Sequence, residues 1–474
     1  MLITIISLVV FALVIILILK PLRIKLPGRV QPFQLDYGYA PLIGVAITLL
    51  TFEVPPSVLV SGILGTATIR PYMIIILFFS LAYVCISIDL TGFFEYLALS
   101  AAKKSGSSGK KLFLYFFLLS SVLTVFTSND IVILTITPII LYFCKYTKKN
   151  PFPYLIGQFF AANIWSITLY IGNPTNIIVA QAYGLTFVQY SAWMILPTVT
   201  AGFACYGLLA VAFRKEICQP LSPPDIKPED ALKDRPGAVF SIAMLGTCLG
   251  FLMVAPIIGL DMGIICLIFA IIMIGKDIAF EARVRAGRAI ATKDNPIVEP
   301  GSNRGLFHSV KVAAKRMPWK IMPFVFGMFI MVEILSYSGW VSFLASAFGE
   351  MLSSAGVIGS TFAMCFISAL TCNIMNNQPM TILFTRLLKD TSFTSLAPAG
   401  IVIASLYALI MGSNFGANFT LIGALAGIMW SSITSTNGIK ITYKEFAKQG
   451  FKIMPVVVAL ACTVLAIEVA ILFA

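Results

Sequence analysis

Apolar residues run along this chain in long blocks, without the alternation of half-buried strands or the single stripe of a surface helix. Blocks suited to crossing a bilayer, which takes about 17–25 apolar residues as a helix, fall near 1–20, 38–54, 72–98, 152–183, 187–213, 236–256, 259–276, 320–346, 397–433 and 452–473. The first has no basic segment before it and no small-residue cleavage site after it, so a retained helix is expected and not a signal peptide. Two further segments, 111–145 and 355–389, are apolar at both ends and polar at the centre, at Thr127 to Asp130 and at Asn373 to Gln378. Lysines bracket the first at both ends, Lys111 and Lys145. With lysines marking one face of the membrane, that segment enters and leaves on the same side as a re-entrant hairpin. The second follows a span running the other way and is expected to enter from the opposite face.

The two hairpins belong to a duplicated pattern. An offset of 247 carries Gly92-Phe93-Phe94-Glu95-Tyr96-Leu97-Ala98 onto Gly339-Trp340-Val341-Ser342-Phe343-Leu344-Ala345, keeping the glycine, an aromatic and the Leu-Ala pair. The same offset takes Thr124 to Thr371 and Asn129 to Asn376, which sets Ser128-Asn129-Asp130 opposite Met375-Asn376-Asn377. Each hairpin precedes a long apolar helix with a polar gap, Gly172-Asn173-Pro174-Thr175-Asn176 in one case and Gly412-Ser413-Asn414 through Gly416-Ala417-Asn418-Phe419-Thr420 in the other. Backbone groups freed by such gaps are tolerated in a membrane only where protein or a water-filled cavity satisfies them, and paired interrupted helices in corresponding halves mark the binding site of a secondary transporter. The expected fold is therefore an all-α polytopic membrane protein with inverted repeats, about ten transmembrane helices, two re-entrant hairpins and two interrupted helices. Residues 1–213 form the first half (hairpin 111–145, broken helix 152–183), 214–235 a linker, and 236–474 the second half (hairpin 355–389, broken helix 397–433), with a basic loop at 277–318.

Composition agrees: 59% of residues are hydrophobic and 11% charged, and the net charge is +13. That charge does not signal nucleic acid, because the basic residues sit in connections between spans. All of the 33 lysines and arginines except Arg70, Arg386 and Lys389 fall on one side, which the positive-inside rule makes the cytoplasmic face of a cell membrane. Both termini are then expected to face outward. The nine cysteines are scattered through apolar sequence without a metal-ligand or CxxC spacing, and the one histidine, His308, lies in the basic loop, so no cofactor, structural zinc or histidine proton relay is expected. No nucleophile motif points to an enzyme.

Charge inside a span is costly and marks function by default. Asp130, at the first hairpin tip, is the preferred site of proton coupling, with a helix-capping role as the alternative; Glu333, in mid-span, is the second candidate. Ser128, Asn129, Gly172, Asn173, Thr175, Asn176, Asn376, Asn377, Gln378, Gly412, Ser413, Asn414, Asn418 and Thr420 supply neutral donors and oxygens for an ion or hydroxylated solute, and Ser128, Asn129, Asn376 and Asn377 could serve a sodium ion. Arg386 is expected to snorkel to the surface, and Asp89 and Glu95 to pair near Lys103 and Lys104.

The strings TSNDIVILTITPII, YIGNPTNIIVAQAYG and NFGANFTLIGALAGIMW resemble the hairpin and helix-break motifs of the ArsB/NhaD branch of the ion transporter superfamily, the third being especially similar to arsenite permeases. The resemblance spans roughly 70–435. It implies an elevator-type carrier with a central site between repeats, arsenite or antimonite export against protons, a homodimer, and in some members an associated ATPase subunit. GNPTN is closer to the break of the divalent-anion/sodium symporters, whose tips carry Ser-Asn-Thr; here they read Ser128-Asn129-Asp130 and Asn376-Asn377-Gln378. Proton-coupled arsenite export, sodium-coupled carriage of a carboxylate or inorganic anion, and Na+/H+ exchange therefore all remain open on the residues.

Overall fold

A computed structural model of the chain describes residues 2–20, 22–24, 33–66, 69–221, 227–286 and 305–473. The helices are α1 (Leu2–Leu19), α2 (Ala40–Thr51), α3 (Pro56–Leu64), α4 (Pro71–Leu90), α5 (Phe93–Ser105), α6 (Gly109–Phe126), α7 (Asn129–Tyr146), α8 (Phe152–Trp165), α9 (Pro174–Ala182), α10 (Phe187–Ala212) and the short α11 (Arg214–Ile217). They continue with α12 (Arg235–Ile258), α13 (Met262–Arg285), α14 (His308–Arg316), α15 (Ile321–Tyr337), α16 (Trp340–Met375), α17 (Asn377–Leu388), the single turn α18 (Thr391–Thr394), α19 (Ala399–Phe415), α20 (Leu425–Thr436) and α21 (Tyr443–Phe473). Among the described residues the extended structure is a small antiparallel ladder, Leu22–Ile24 with Phe33–Leu35, and an isolated bridge between Ser108 and Pro220.

Ten helical stretches are long and apolar enough to cross a membrane. They include both arms of the first hairpin and the long first arm of the second, while α1 and α2 are shorter apolar helices. Burial separates interior from perimeter. The best window of Ala399–Asn418 is 83% buried, against 33% for Arg235–Ile258. Perimeter helices expose large apolar side chains such as Phe203, Ile257 and Leu472, the surface a hydrocarbon solvent accepts.

The element order α4 to α9 recurs as α15 to α20. Both repeats begin with a bend the apolar pattern did not show: the blocks 72–98 and 320–346 are each two helices, divided at Thr91-Gly92 and at Ser338-Gly339. Gly92 (φ 81°) and Gly339 (φ 86°) hold left-handed backbone at the first cap of the next helix, a conformation that costs any other residue about 1–2 kcal/mol. The hairpins follow as α6–α7 and α16–α17, with α16 bent at Gly356 (φ 65°). The register at the tips differs from the ungapped alignment. Thr127 and Ser128 link the first pair of arms, but Asn376 alone (φ 73°, ψ 153°) links the second. The capping residues are thus Ser128 and Asn376, and Asp130 stands opposite Gln378, not Asn377.

Two loop expectations change. Residues 277–285 of the basic stretch continue α13, burying Asp277 and Glu281, and residues 308–316 form α14; 287–304 lie outside the described residues. The linker 214–235 contains α11 and a 3-10 turn at Pro228–Ala231, with 222–226 outside the described residues. Asp89 pairs with Arg316, not with Lys103 or Lys104.

Candidate functional site

Each interrupted helix stops where polar residues and a proline or glycine compete with the helical ladder. Helix α8 ends at Trp165, and the chain passes through a 3-10 turn, Tyr170–Gly172, before Asn173 caps α9 through its side chain with Pro174 at the first position, both strong start signals. Helix α19 ends at Phe415, passes through Gly416–Asn418, and restarts at Leu425. The two breaks lie against each other and are laced by side chains. The Asn414 Oδ1 accepts from Ser166 Oγ and Asn173 Nδ2, both at 2.8 Å, and its Nδ2 donates to Asn176 Oδ1 at 2.7 Å and to the Ile410 carbonyl at 2.9 Å. Ser413 Oγ lies 3.2 Å from Thr175 Oγ1, and Asn176 Nδ2 donates to the Ser166 carbonyl. All these residues are essentially fully buried, where an unmet polar group costs about 1–3 kcal/mol.

The first hairpin tip joins this network. Asn129 Nδ2 donates to Asn163 Oδ1 at 3.0 Å, and Asn163 Nδ2 donates to Asn418 Oδ1 at 2.9 Å. One chain of bonds therefore runs from hairpin α6–α7 through the end of α8 to the second break. The second tip uses backbone: Asn377 N–H donates to the Gly423 carbonyl and Asn376 Nδ2 to that of Ile422. Thr420 bonds to Asn373, which also donates to the Gly416 carbonyl at 3.0 Å. Gln378 Oε1 is buried without a hydrogen-bond partner among the described residues.

Sequence reading missed Asn163 and Ser166, and placed Asn373 in the polar centre of the second hairpin without making it a site residue. The signal for Asn163 and Ser166 was present, since a buried apolar helix has no reason to carry an Asn-Ile-Trp-Ser end unless those groups have partners. Gly172 and Gly412 act by close approach, a Cβ falling 2.3 Å from the Ser166 carbonyl in one case and 2.5 Å from Ser368 Cβ in the other. Of the four oxygens suggested for sodium, Asn129 and Asn376 spend their side chains on protein partners.

Ser128 and Asp130 face another direction. With Thr127 they line a cavity of about 380 Å3, walled by α4, α7, α20 and the start of α15. Ser128 Oγ, not Asp130, provides the helix cap. Among the described residues no hydrogen bond or ion pair engages the Asp130 carboxylate. Tyr37 lines the same cavity, and burial, with Asp36 and Asp130 nearby, pushes its phenol up to about 12. Arg316, paired with Asp89, also contributes to the wall, and a second opening with Asp89, Thr135, Pro138 and Arg316 continues along the same side.

Glu333 is not brought to this cavity. It bonds Arg386 Nε at 3.1 Å, and Arg386 also donates to Ser336, so Arg386 fastens α17 to α15 and does not snorkel outward. No group of three or more His, Cys, Asp or Glu side chains suited to a metal occurs among the described residues.

A family model described as "CitMHS: Citrate transporter" matches residues 1–408. The chain belongs to the CitMHS family. Among its relatives, the arsenical pump membrane proteins of Escherichia coli and Yersinia enterocolitica are each 27% identical, and each alignment covers 89% of this chain and 91% of the relative. The uncharacterized transporter Rv2684 of Mycobacterium tuberculosis is 26% identical over 78% of this chain and 80% of its own. The fold is shared with the solved Alcanivorax borkumensis YdaH transporter (TM-score 0.58, 13% identity, 100% of this chain and 98% of that one). It is also shared with Neisseria gonorrhoeae MtrF (TM-score 0.54, 12% identity, 96% and 94%). This CitMHS member is a multi-pass membrane transporter.

Proposed function

We propose that this CitMHS member exports arsenite or antimonite in exchange for protons, by alternating access in which the hairpins and interrupted helices carry the solute past the perimeter helices. The observation that carries the reading is the unpartnered Asp130 carboxylate at a hairpin tip, open to a cavity and one residue from the network that joins both breaks. A carboxylate so placed can exchange a proton for a solute, because solute and proton compete for the same oxygens. Thr127, Ser128, Thr135 and Tyr37 offer hydroxyls beside it, suited to a small neutral polyhydroxyl acid that needs no cationic clamp. The names of the relatives that align over nine-tenths of their length support the same solute. Thirty lysines and arginines on one face support a cytoplasmic opening for the Asp130 cavity and a cell-membrane location. A homodimer, and in some settings an ATPase partner, accord with the resemblance.

Sodium-coupled carriage of a small carboxylate or inorganic anion is the second reading. It is favoured by the family description and by the Arg316 guanidinium on the cavity wall. Na+/H+ exchange would use Asp130 in the same position.

Uptake into proteoliposomes, with imposed pH or sodium gradients and with arsenite, antimonite, citrate and sodium as test solutes, separates the three. Saturable arsenite movement driven by a pH gradient, lost with its pH dependence in Asp130→Asn, is the expected outcome. Sodium-driven citrate uptake would select the second reading. Full pH-driven arsenite transport in Asp130→Asn would refute the coupling assignment.

A further inference from the structure

A second large cavity, of about 620 Å3, lies at the other end of α4 from the Asp89 and Arg316 opening. The C-terminal end of α9 (Gln181 to Thr186), the start of α4 (Arg70, Met73), the α12–α13 connection (Ala255 to Met262) and Lys389 form its walls. It gathers two of the three basic residues on the lysine-poor side, and the third, Arg386, is consumed by Glu333. Among the described residues the Arg70 guanidinium has no hydrogen bond or ion pair. Lys389 Nζ donates to the Ala182 carbonyl at 2.6 Å and sits 4.8 Å from the centre of the Tyr183 ring. Beside them the Tyr183 hydroxyl and the Gln181 Oε1 are buried with no hydrogen-bond partner among the described residues. Unmet buried polar atoms are uncommon in folded proteins and ask for a ligand or water. The one carboxylate on the wall, Asp261, is engaged in capping α13 through the Gly263 N–H at 2.7 Å.

We infer that this cavity binds a small oxyanion, a phosphate, sulfate or carboxylate group, held between the Arg70 guanidinium and the Lys389 ammonium with the Tyr183 hydroxyl as a further donor. A guanidinium presents paired N–H groups that match two oxygens of such an anion, and an ammonium adds a compact point charge. The Gln181 side chain, turned about its amide, adds an N–H donor. Asp261 leaves the wall with one net positive charge, which suits an anion that exchanges freely. Because Arg70 caps the start of α4 and Lys389 follows the return arm of the second hairpin, a bound anion bridges the start of α4 to that hairpin. The site stands apart from the Asp130 cavity and does not depend on which solute is carried there.

Thermal unfolding of the full chain in phosphatidylcholine vesicles tests it, titrating sulfate or phosphate against chloride at matched ionic strength. A saturable rise in unfolding temperature is expected, with its midpoint concentration raised about tenfold in Arg70→Gln and in Tyr183→Phe and unchanged in Lys311→Gln. Arg70 is exposed and Tyr183→Phe keeps the ring under Lys389, so both variants fold. Replacing part of the lipid with phosphatidylglycerol identifies the source: if an anionic lipid headgroup is the occupant, the unfolding temperature is already raised over that in phosphatidylcholine before sulfate is added, and that increment disappears in Arg70→Gln. No saturable rise in either lipid, or one with the same midpoint in parent, Arg70→Gln and Tyr183→Phe, would overturn the inference.

Discussion

Asn414→Ala removes the side chain at the junction of the two interrupted helices, and the hydrogen bonds around it set the size of the effect. Ser166 Oγ keeps an alternative bond to the Asn163 carbonyl at 2.8 Å, and Ser413 keeps the Ile410 carbonyl. Asn173 Nδ2 and Asn176 Oδ1 lose their bonds to Asn414 and are 2% and 0% exposed at the residue level. Two orphaned buried groups at about 1–3 kcal/mol each give a loss of roughly 2–6 kcal/mol. A water entering the vacated space, where polar partners abound, would bring the loss toward the lower bound. The exposed capping box of α10 provides the comparison: Thr186→Ala removes one side-chain cap at a cost of about 1 kcal/mol. Unfolding temperature of the purified protein, read beside transport in proteoliposomes, ranks the two variants. Asn414→Ala should be the less stable and should lose transport. If it unfolded at the parent temperature, or above Thr186→Ala, the two breaks would not be held together by this network.

Three further outcomes follow from the geometry. The Tyr37 phenol, raised from 10 to about 12 by burial near Asp36 and Asp130, contributes stability that is complete below pH 10 and lost as pH rises through about 12. Tyr37→Phe should remove that part of the alkaline loss in a pH series of unfolding, and an unchanged difference between variant and parent from pH 9 to pH 12 would count against it. Gly339→Ala adds only left-handed strain, about 1–2 kcal/mol, because its Cβ meets nothing within 4 Å, whereas Gly92→Ala also drives Cβ to 1.9 Å from the Ala231 carbonyl; equal unfolding temperatures for the two variants would contradict the contrast. Glu333 and Arg386 are partly exposed, 15% and 26% at the side chains, so a double-mutant cycle of Glu333→Gln and Arg386→Met should return a coupling on the order of 1 kcal/mol, while pH-driven transport persists in Glu333→Gln if Asp130 alone carries the proton.

Much of the architecture was legible because it depends on contiguous chain. Apolar blocks long enough for a bilayer, lysines at their ends and polar residues at the centre of two hairpins are local features. The structure places the hairpin arms within one or two residues of 111–145 and the breaks inside 152–183 and 397–433. The bends at Gly92 and Gly339 were less visible, since apolarity continues across them and only backbone conformation separates the helices. The tip register was misread for a related reason: the hairpins are joined by two residues and by one, and an ungapped offset cannot show that Asp130 is matched by Gln378.

What the sequence determined alone was the solvent this protein folds in, its twofold repeat, its family and the kinds of group at its centre. Which of those groups meet was decided only by tertiary packing. Asn173 and Asn414 are 241 positions apart, and Glu333 and Arg386 are 53 apart; nothing local to either member selects the other. Where no water can satisfy a buried amide, the partner that the fold delivers completes it, so the breaks became an interlocked network, Glu333 became a strut, and Asp130 was left free at the cavity.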